Sequence, residues 1–362
     1  MEQTDQLILD TAQRLFADHC GADVVNAAES GVAPVRLLTA LLEAGLPLAW
    51  VPENAGGVGG SLALGFNLIR QSAGFALAAP LAETLVANRV LAESGLEVAE
   101  SWTVLVFDGG VLPMLAGGKI SGLVESAPMH AGVTRLVVPV SDQGAIRIAT
   151  FAPDDVEIDY RESLAGESRA QVQLSESVPL ALSSAVDGMS EHGLMQFCAL
   201  VRACQIAGAM EKMNELTVAY VKERQQFGRA LGKFQAIQHK VADIAGESAL
   251  ANAAVEQAAR ELSEHSRPFS GSADTLLSIA TAKVVASEAA GTVSRLAHQC
   301  HGAMGFSYEY PLQQYSRRIW SWREEYGSEF YWSERIGLAV ADELKHSAPG
   351  QNDGRVWDIV SR

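Results

Sequence analysis

Two glycine-bearing turns, each set at the end of a long helix-forming run, constrain this chain more than any other feature of its sequence. The first lies in RQQFGRALGKFQAIQHKVADIA, from Arg224 to Ala245, and the second in QCHGAMGFSYEYP, from Gln299 to Pro311. Arg224 closes a helical run that opens near Glu191, and a guanidinium fork is the side chain best matched to a paired-oxygen anion such as a pyrophosphate. Gly228 permits the turn. The next helix opens at Phe234 with Ile237, Val241 and Ile244 on one stripe. Gln235 sits in its first turn, near free N–H groups and the positive end of the helix dipole, where an anion is favoured. In the second segment Gly302, Ala303 and Gly305 let the backbone approach a ligand closely. Taken singly, these are an arginine capping a helix and glycines stopping one.

The same two segments, in this order and separation and followed by Glu309-Tyr310-Pro311, resemble the flavin-binding helical domain of the acyl-CoA dehydrogenase family over residues 190–335. The resemblance implies FAD as cofactor and an acyl-CoA thioester as substrate, with either electron-transfer flavoprotein or oxygen as the electron acceptor. It also implies FAD bound mainly by a neighbouring subunit, hence a homo- or hetero-oligomer, a dimer of dimers. It assigns cofactor contacts to Arg224, Phe227, Gln235, Gln299, Gly302, Ala303, Gly305 and Ser328. Ala303 stands where the family usually has a second glycine, and Ser328 where its threonine contacts FAD.

The pattern of the whole chain predicts an α+β fold. An N-terminal α-helical domain is expected over 1–100, where Leu7, Ile8, Ala12, Leu15 and Phe16 form one stripe and Val35 to Leu46 a second, stopped by Pro47. VPENAGGVGG, residues 51–60, lacks the strand, Lys and Ser/Thr of a P-loop and reads as a packed turn between helices. Short β-branched runs such as TVLVF, RLVVPV and AIRIATF predict a small antiparallel β domain over 101–185. A C-terminal four-helix-bundle domain is expected over 186–348, with a tail at 349–362. Forty-three acidic against 27 basic residues give a formal charge of −16, which disfavours nucleic acid and anionic membranes as partners. No apolar run reaches the ~20 residues of a membrane span, and the amphipathic N-terminus points to a cytoplasmic protein. The four cysteines have no C-x-x-C spacing and read as free thiols; no metal site is indicated around His298 and His301.

Two departures from the family pattern bear on catalysis. The family removes an α-proton with a carboxylate while hydride leaves the β-carbon, and counting from Gln299 that carboxylate's place falls on Tyr326, a phenol that is a poor base at neutral pH. A second place that some branches use, on the helix leading to Arg224, falls on Cys198. Glu325, one residue before Tyr326, is the alternative base and reads more readily as a structurally paired acid. The second departure is a missing hydroxyl-rich turn at the entrance to the β domain, where Asp108-Gly109-Gly110 stands instead. Retained cofactor contacts beside a lost base resemble the partner subunits of heteromeric acyl-CoA dehydrogenases, including those acting on sterol-derived thioesters. A self-sufficient homotetramer using Glu325 and a non-catalytic acyl-CoA or flavin-binding protein are the competing readings.

Overall fold

The computed structural model describes residues 3–130 and 132–346; the tail expected at 349–362 lies outside them. Five helices come first: α1 (Gln3–His19), α2 (Ala22–Glu29), α3 (Val35–Glu43), α4 (Leu62–Ala73) and α5 (Leu81–Glu93). α3 stops at Glu43, earlier than its apolar stripe, because the chain turns at left-handed Gly45 into a short 3-10 segment containing Pro47. VPENAGGVGG folds back on itself, Gly59 N–H donating to the Val51 carbonyl at 2.9 Å. Ser61 then caps α4, accepting from Leu64 N–H at 3.0 Å.

The central sheet contains β1 (Thr103–Leu105), β2 (Met114–Ala116), β3 (Lys119–Pro128), β4 (Arg135–Asp142), β5 (Ala145–Phe151), β6 (Glu157–Glu162), β7 (Ser168–Ser177) and β8 (Ala181–Leu182). Its order is β6-β7-β3-β2-β4-β5-β8, with β1 also paired to β4. LAGGKISGLVES makes the β2–β3 hairpin around Gly117-Gly118, both left-handed at φ 59° and 79°. The sheet is not wholly antiparallel: β1 and β2 each run parallel to β4. Both strands reach β4 through intervening chain rather than a tight turn, so neither is held to the antiparallel sense.

Five helices follow: α6 (Glu191–Glu223), α7 (Gln235–Glu264), α8 (Ala273–His301), α9 (Leu312–Glu324) and α10 (Glu329–His346). α6 to α9 pack on one another and α10 lies on α8. α6 and the span 275–306 are long and apolar enough to cross a membrane by length and composition alone, a test that buried core helices also pass. α6 is apolar all round because it is the central helix, its apolar stretch wholly enclosed. α4 approaches it so closely that a Cβ on Gly208 would sit 1.9 Å from the Arg70 carbonyl oxygen. One continuous hydrophobic core therefore joins the first helices to the bundle, with a second, smaller core within the sheet.

Candidate functional site

One end of the bundle gathers the segments of both glycine turns. α6 ends with Arg224 N–H donating to the Tyr220 carbonyl at 2.8 Å, and the chain makes a minimal hairpin, Gln225–Gln226 against Arg229–Ala230. Its two turn residues, Phe227 and Gly228, are both left-handed at φ 54° and 82°. Such a conformation is uncommon for a phenylalanine, and this one is 88% exposed. Three contacts draw the second segment to the same place. Tyr220 stacks on His301 at 4.3 Å between centroids and donates its hydroxyl to the His301 carbonyl at 3.3 Å. Tyr310 donates to the Leu216 carbonyl at 3.1 Å, and Lys240 Nζ donates to Gln299 Oε1 at 2.8 Å.

The polar groups at this end are available to a ligand. Arg224 and Gln235 are exposed, and the Arg224 guanidinium has no ion-pair partner among the described residues. α7 begins without a side-chain cap, so its first N–H groups are open. Gly302, left-handed at φ 60°, has open space where a Cβ would stand, and Ala303 beside it is exposed. Gly305 is buried, and a Cβ there would lie 2.8 Å from His298 Nδ1. An exposed arginine, open helix N–H groups and a bare backbone turn form a donor set that fits the pyrophosphate of FAD.

The positions aligned with the family's base lie elsewhere, between α6, α9 and the sheet. Tyr326 sits in the short link from α9 to α10 in a left-handed conformation, φ 54°, followed by left-handed Gly327. It is buried, donates its hydroxyl to the Phe107 carbonyl at 3.1 Å, and lies beneath the Arg202 guanidinium, 5.7 Å from the ring centre. Burial is the main force holding its phenol protonated far into alkaline pH. Cys198 is buried on α6 and its thiol is pushed up to about 12, again chiefly by burial. Glu325 keeps both oxygens occupied: Oε1 accepts from Arg169 Nη2 at 2.7 Å and Oε2 from Arg202 Nε at 2.8 Å. Its burial opposes ionisation, but the two guanidinium groups prevail and its pKa lies below the ordinary carboxylate value. Ser328 follows the left-handed pair and is half-buried.

Two spaces of very different size border these groups. The cavity bounded by Ala82, Val86, Leu105, Cys198, Arg202 and Tyr326 measures only 20 Å³. A larger cleft of 730 Å³ opens on the other side of Tyr326, along Asp108, Gly109, Met195, Trp320 and Tyr331. The turn at its mouth is built by Asp108, whose carboxylate accepts from Gly110 N–H at 2.9 Å and Glu125 N–H at 2.8 Å. Trp320, Trp322, Tyr326, Phe330 and Tyr331 lie close together in the sequence, several at four-residue spacing, a pattern that reads first as a core stripe and second as filling for an acyl tunnel. The left-handed corner breaks that stripe. Trp322 is buried and donates to Glu167 at 3.0 Å, whereas Phe330 points outward, 78% exposed. Arg202, Arg169 and Lys283, which hold the corner from three sides, carry no motif that could have revealed them.

Comparison with known proteins accords with this geometry. Residues 192–329 match the family model described as acyl-CoA dehydrogenase, C-terminal domain. Over that stretch the chain is of the acyl-CoA dehydrogenase type. It is 28% identical to acyl-CoA dehydrogenase IpdE2 of Mycobacterium tuberculosis over 86% of its own length and 90% of that protein. The fold matches that of a Tcur3481-Tcur3483 steroid acyl-CoA dehydrogenase variant, with a TM-score of 0.83 and 23% identity over 95% of this chain and 99% of that one. It also matches the ChsE4-ChsE5 complex of Mycobacterium tuberculosis, with a TM-score of 0.82 and 19% identity over 94% and 98%.

Proposed function

We propose that this chain is the non-basic subunit of a heteromeric, FAD-dependent acyl-CoA dehydrogenase of the cytoplasm. It completes a cofactor site through Arg224, Phe227, Gln235, Gln299, Gly302, Ala303 and Gly305, with Ser328 a separate flavin contact at the α9–α10 link, while a partner chain supplies the carboxylate that takes the α-proton. The observation that carries this reading is the state of the base position. Tyr326 commits its hydroxyl to the Phe107 carbonyl, and the neighbouring Glu325 is held by two guanidinium groups. A general base needs a free lone pair and a pKa near the working pH; neither residue has both.

When bound, FAD supplies the acceptor for the hydride that leaves the β-carbon. This chain's own residues act on binding: Arg224 and the first N–H groups of α7 offset the charge of a pyrophosphate, and the backbone at 302–305 lets it approach. The 20 Å³ cavity beside Cys198 has no space for an acyl chain, and the 730 Å³ cleft on Tyr326 meets Glu325 only as an ion-paired carboxylate, so the thioester reacts in the partner's pocket. The Tcur3481-Tcur3483 relative is a steroid acyl-CoA dehydrogenase, and we take a steroid-derived thioester as the substrate class of the assembly. Electrons pass on to an electron-transfer flavoprotein.

Anaerobic single-turnover bleaching tests the proposal, with the chain expressed alone and with a co-expressed homologue, using steroid-derived and fatty acyl-CoA thioesters. Bleaching only in the co-expressed pair supports it. Rapid bleaching by the chain alone, abolished by Glu325→Gln, would establish a self-sufficient enzyme instead.

A further inference from the structure

Lys283 lies on α8, fully shielded from water among Ala282, Ala286 and Ser287. Its ammonium has no ion-pair partner among the described residues. Burying a cation without a counter-ion is costly unless every donor finds an acceptor. Nζ has three donors, and three acceptors meet it: the Arg323 carbonyl at 2.6 Å, the Gly327 carbonyl at 2.8 Å and Ser287 Oγ at 3.5 Å.

Those two carbonyls flank the corner that ends α9. The Arg323 carbonyl is among the last of a helix, which has no partner within it. The Gly327 carbonyl closes the left-handed pair Tyr326-Gly327. A tyrosine in that conformation persists only where its surroundings over-determine it. The remaining ties are Tyr326 O–H to the Phe107 carbonyl and Trp332 Nε1–H to the Tyr326 carbonyl at 2.9 Å. Gly327 is packed so tightly that a Cβ would stand 2.7 Å from the Trp332 indole nitrogen.

We propose that Lys283 is the positioning residue of the Tyr326–Ser328 corner: by gripping the carbonyls on both sides, it sets where Ser328 stands toward the flavin. The inference rests on the reading of Ser328 as a cofactor contact under the proposed function. Burial brings the amine down to about 7, against the opposing pull of Glu325, Glu329 and Glu324 and with Arg202 adding to the fall. The charge on Nζ therefore changes near neutrality, one peptide away from the carbonyl that holds Trp332.

The test uses the chain labelled with 5-fluorotryptophan, in its flavin-loaded assembly, with the Trp332 fluorine resonance assigned from Trp332→Phe. The resonance is expected to titrate with a midpoint near 7 in the wild-type chain and to stay flat in Lys283→Met. His298 and His301 of α8 lie fifteen or more residues along the helix, at least roughly 22 Å away, too far to mimic the signal. Lys283→Met should also weaken FAD binding roughly 2- to 12-fold, the range for the one hydrogen bond of the Ser328 hydroxyl that it positions. A flat wild-type resonance between pH 6 and 8.5, or unchanged FAD affinity in Lys283→Met, overturns the proposal. If Lys283→Met does not fold, the wild-type titration still decides. Unchanged FAD affinity in Arg224→Ala would instead sink the cofactor reading, while the Trp332 titration would continue to report on Lys283.

Discussion

Arg202 Nε stands 2.8 Å from Glu325 Oε2, and through this pair the central helix grips the link that carries Tyr326. The contact is one step in a longer chain of charges. Arg202 also meets Glu83 of α5 at 2.8 Å; Glu325 meets Arg169 of β7, and Arg169 meets Glu167 at 3.3 Å. Arg318 of α9 continues to Glu29 of α2 at 2.8 Å, where Arg317 also pairs. First helices, sheet and bundle are thus fastened by four arginines and four glutamates that balance. Buried ion pairs add little net stability, yet removing one partner strands the other. The centre of the molecule is therefore rich in charge, and its carboxylates are committed to guanidinium groups.

Glu325→Gln should cost about 3 kcal/mol, the low end for breaking a buried pair, because the glutamine carbonyl can still accept one bond. Arg202, 2% exposed, would keep only Glu83 as a charged partner. Urea unfolding of the assembled protein measures this. At temperatures where the variant remains folded, partner-dependent turnover should match the wild type under the proposal that the partner supplies the base.

The same pairing makes a prediction about acid. Glu325 has a folded pKa below its unfolded value near 4.5, so its contribution is present above that value and is lost as pH falls through the folded pKa. Stability should thus decline below about pH 4.5, and the decline should be shallower in Glu325→Gln. Denaturation midpoints measured from pH 6 to 3 would show it; parallel curves for the two proteins would rule the pair out as a source of acid sensitivity.

What could be read from the sequence was local. The end of α6 at Arg224, the opening of α7 and the glycine turns at 228 and 302 follow from periodicity and turn residues within a few positions of each other. The α+β order followed equally well from the change between β-branched and helical texture. The parallel pairings of β1 and β2 with β4 escaped because strand partners are chosen by distant chain. The ion chain escaped for the same reason: Glu29, Glu83, Glu167, Arg169, Arg202, Arg318 and Glu325 are scattered across the sequence and each resembles a surface charge. The sequence shows Tyr326 at the base position but not its left-handed backbone, because nothing local announces such a tyrosine.

Phe227 presents a large apolar ring to water at the tip of a two-residue turn, 88% exposed. An assembly that buries it should gain roughly 1.5–3 kcal/mol from that ring alone. Phe227→Asp keeps the turn, since aspartate accepts left-handed backbone more readily, and should weaken association by at least about tenfold. Sedimentation equilibrium across micromolar concentrations would measure this. An unchanged assembly would mean that the hairpin faces solvent in the oligomer.

Arg224→Ala isolates cofactor binding from folding. The side chain is exposed and has no ion-pair partner among the described residues, so its loss removes no contact within the chain. Thermal stability of the flavin-free protein should therefore change little, as for most surface substitutions. If the guanidinium meets a pyrophosphate, FAD affinity should fall roughly 10- to 150-fold, the range for a charge-assisted hydrogen bond. Arg224→Lys should recover only part of this, because an ammonium keeps the charge but not the planar fork. Flavin titration by fluorescence quenching, repeated at low and high salt, checks both; equal affinity in all three proteins would show that the arginine serves the chain and not the cofactor.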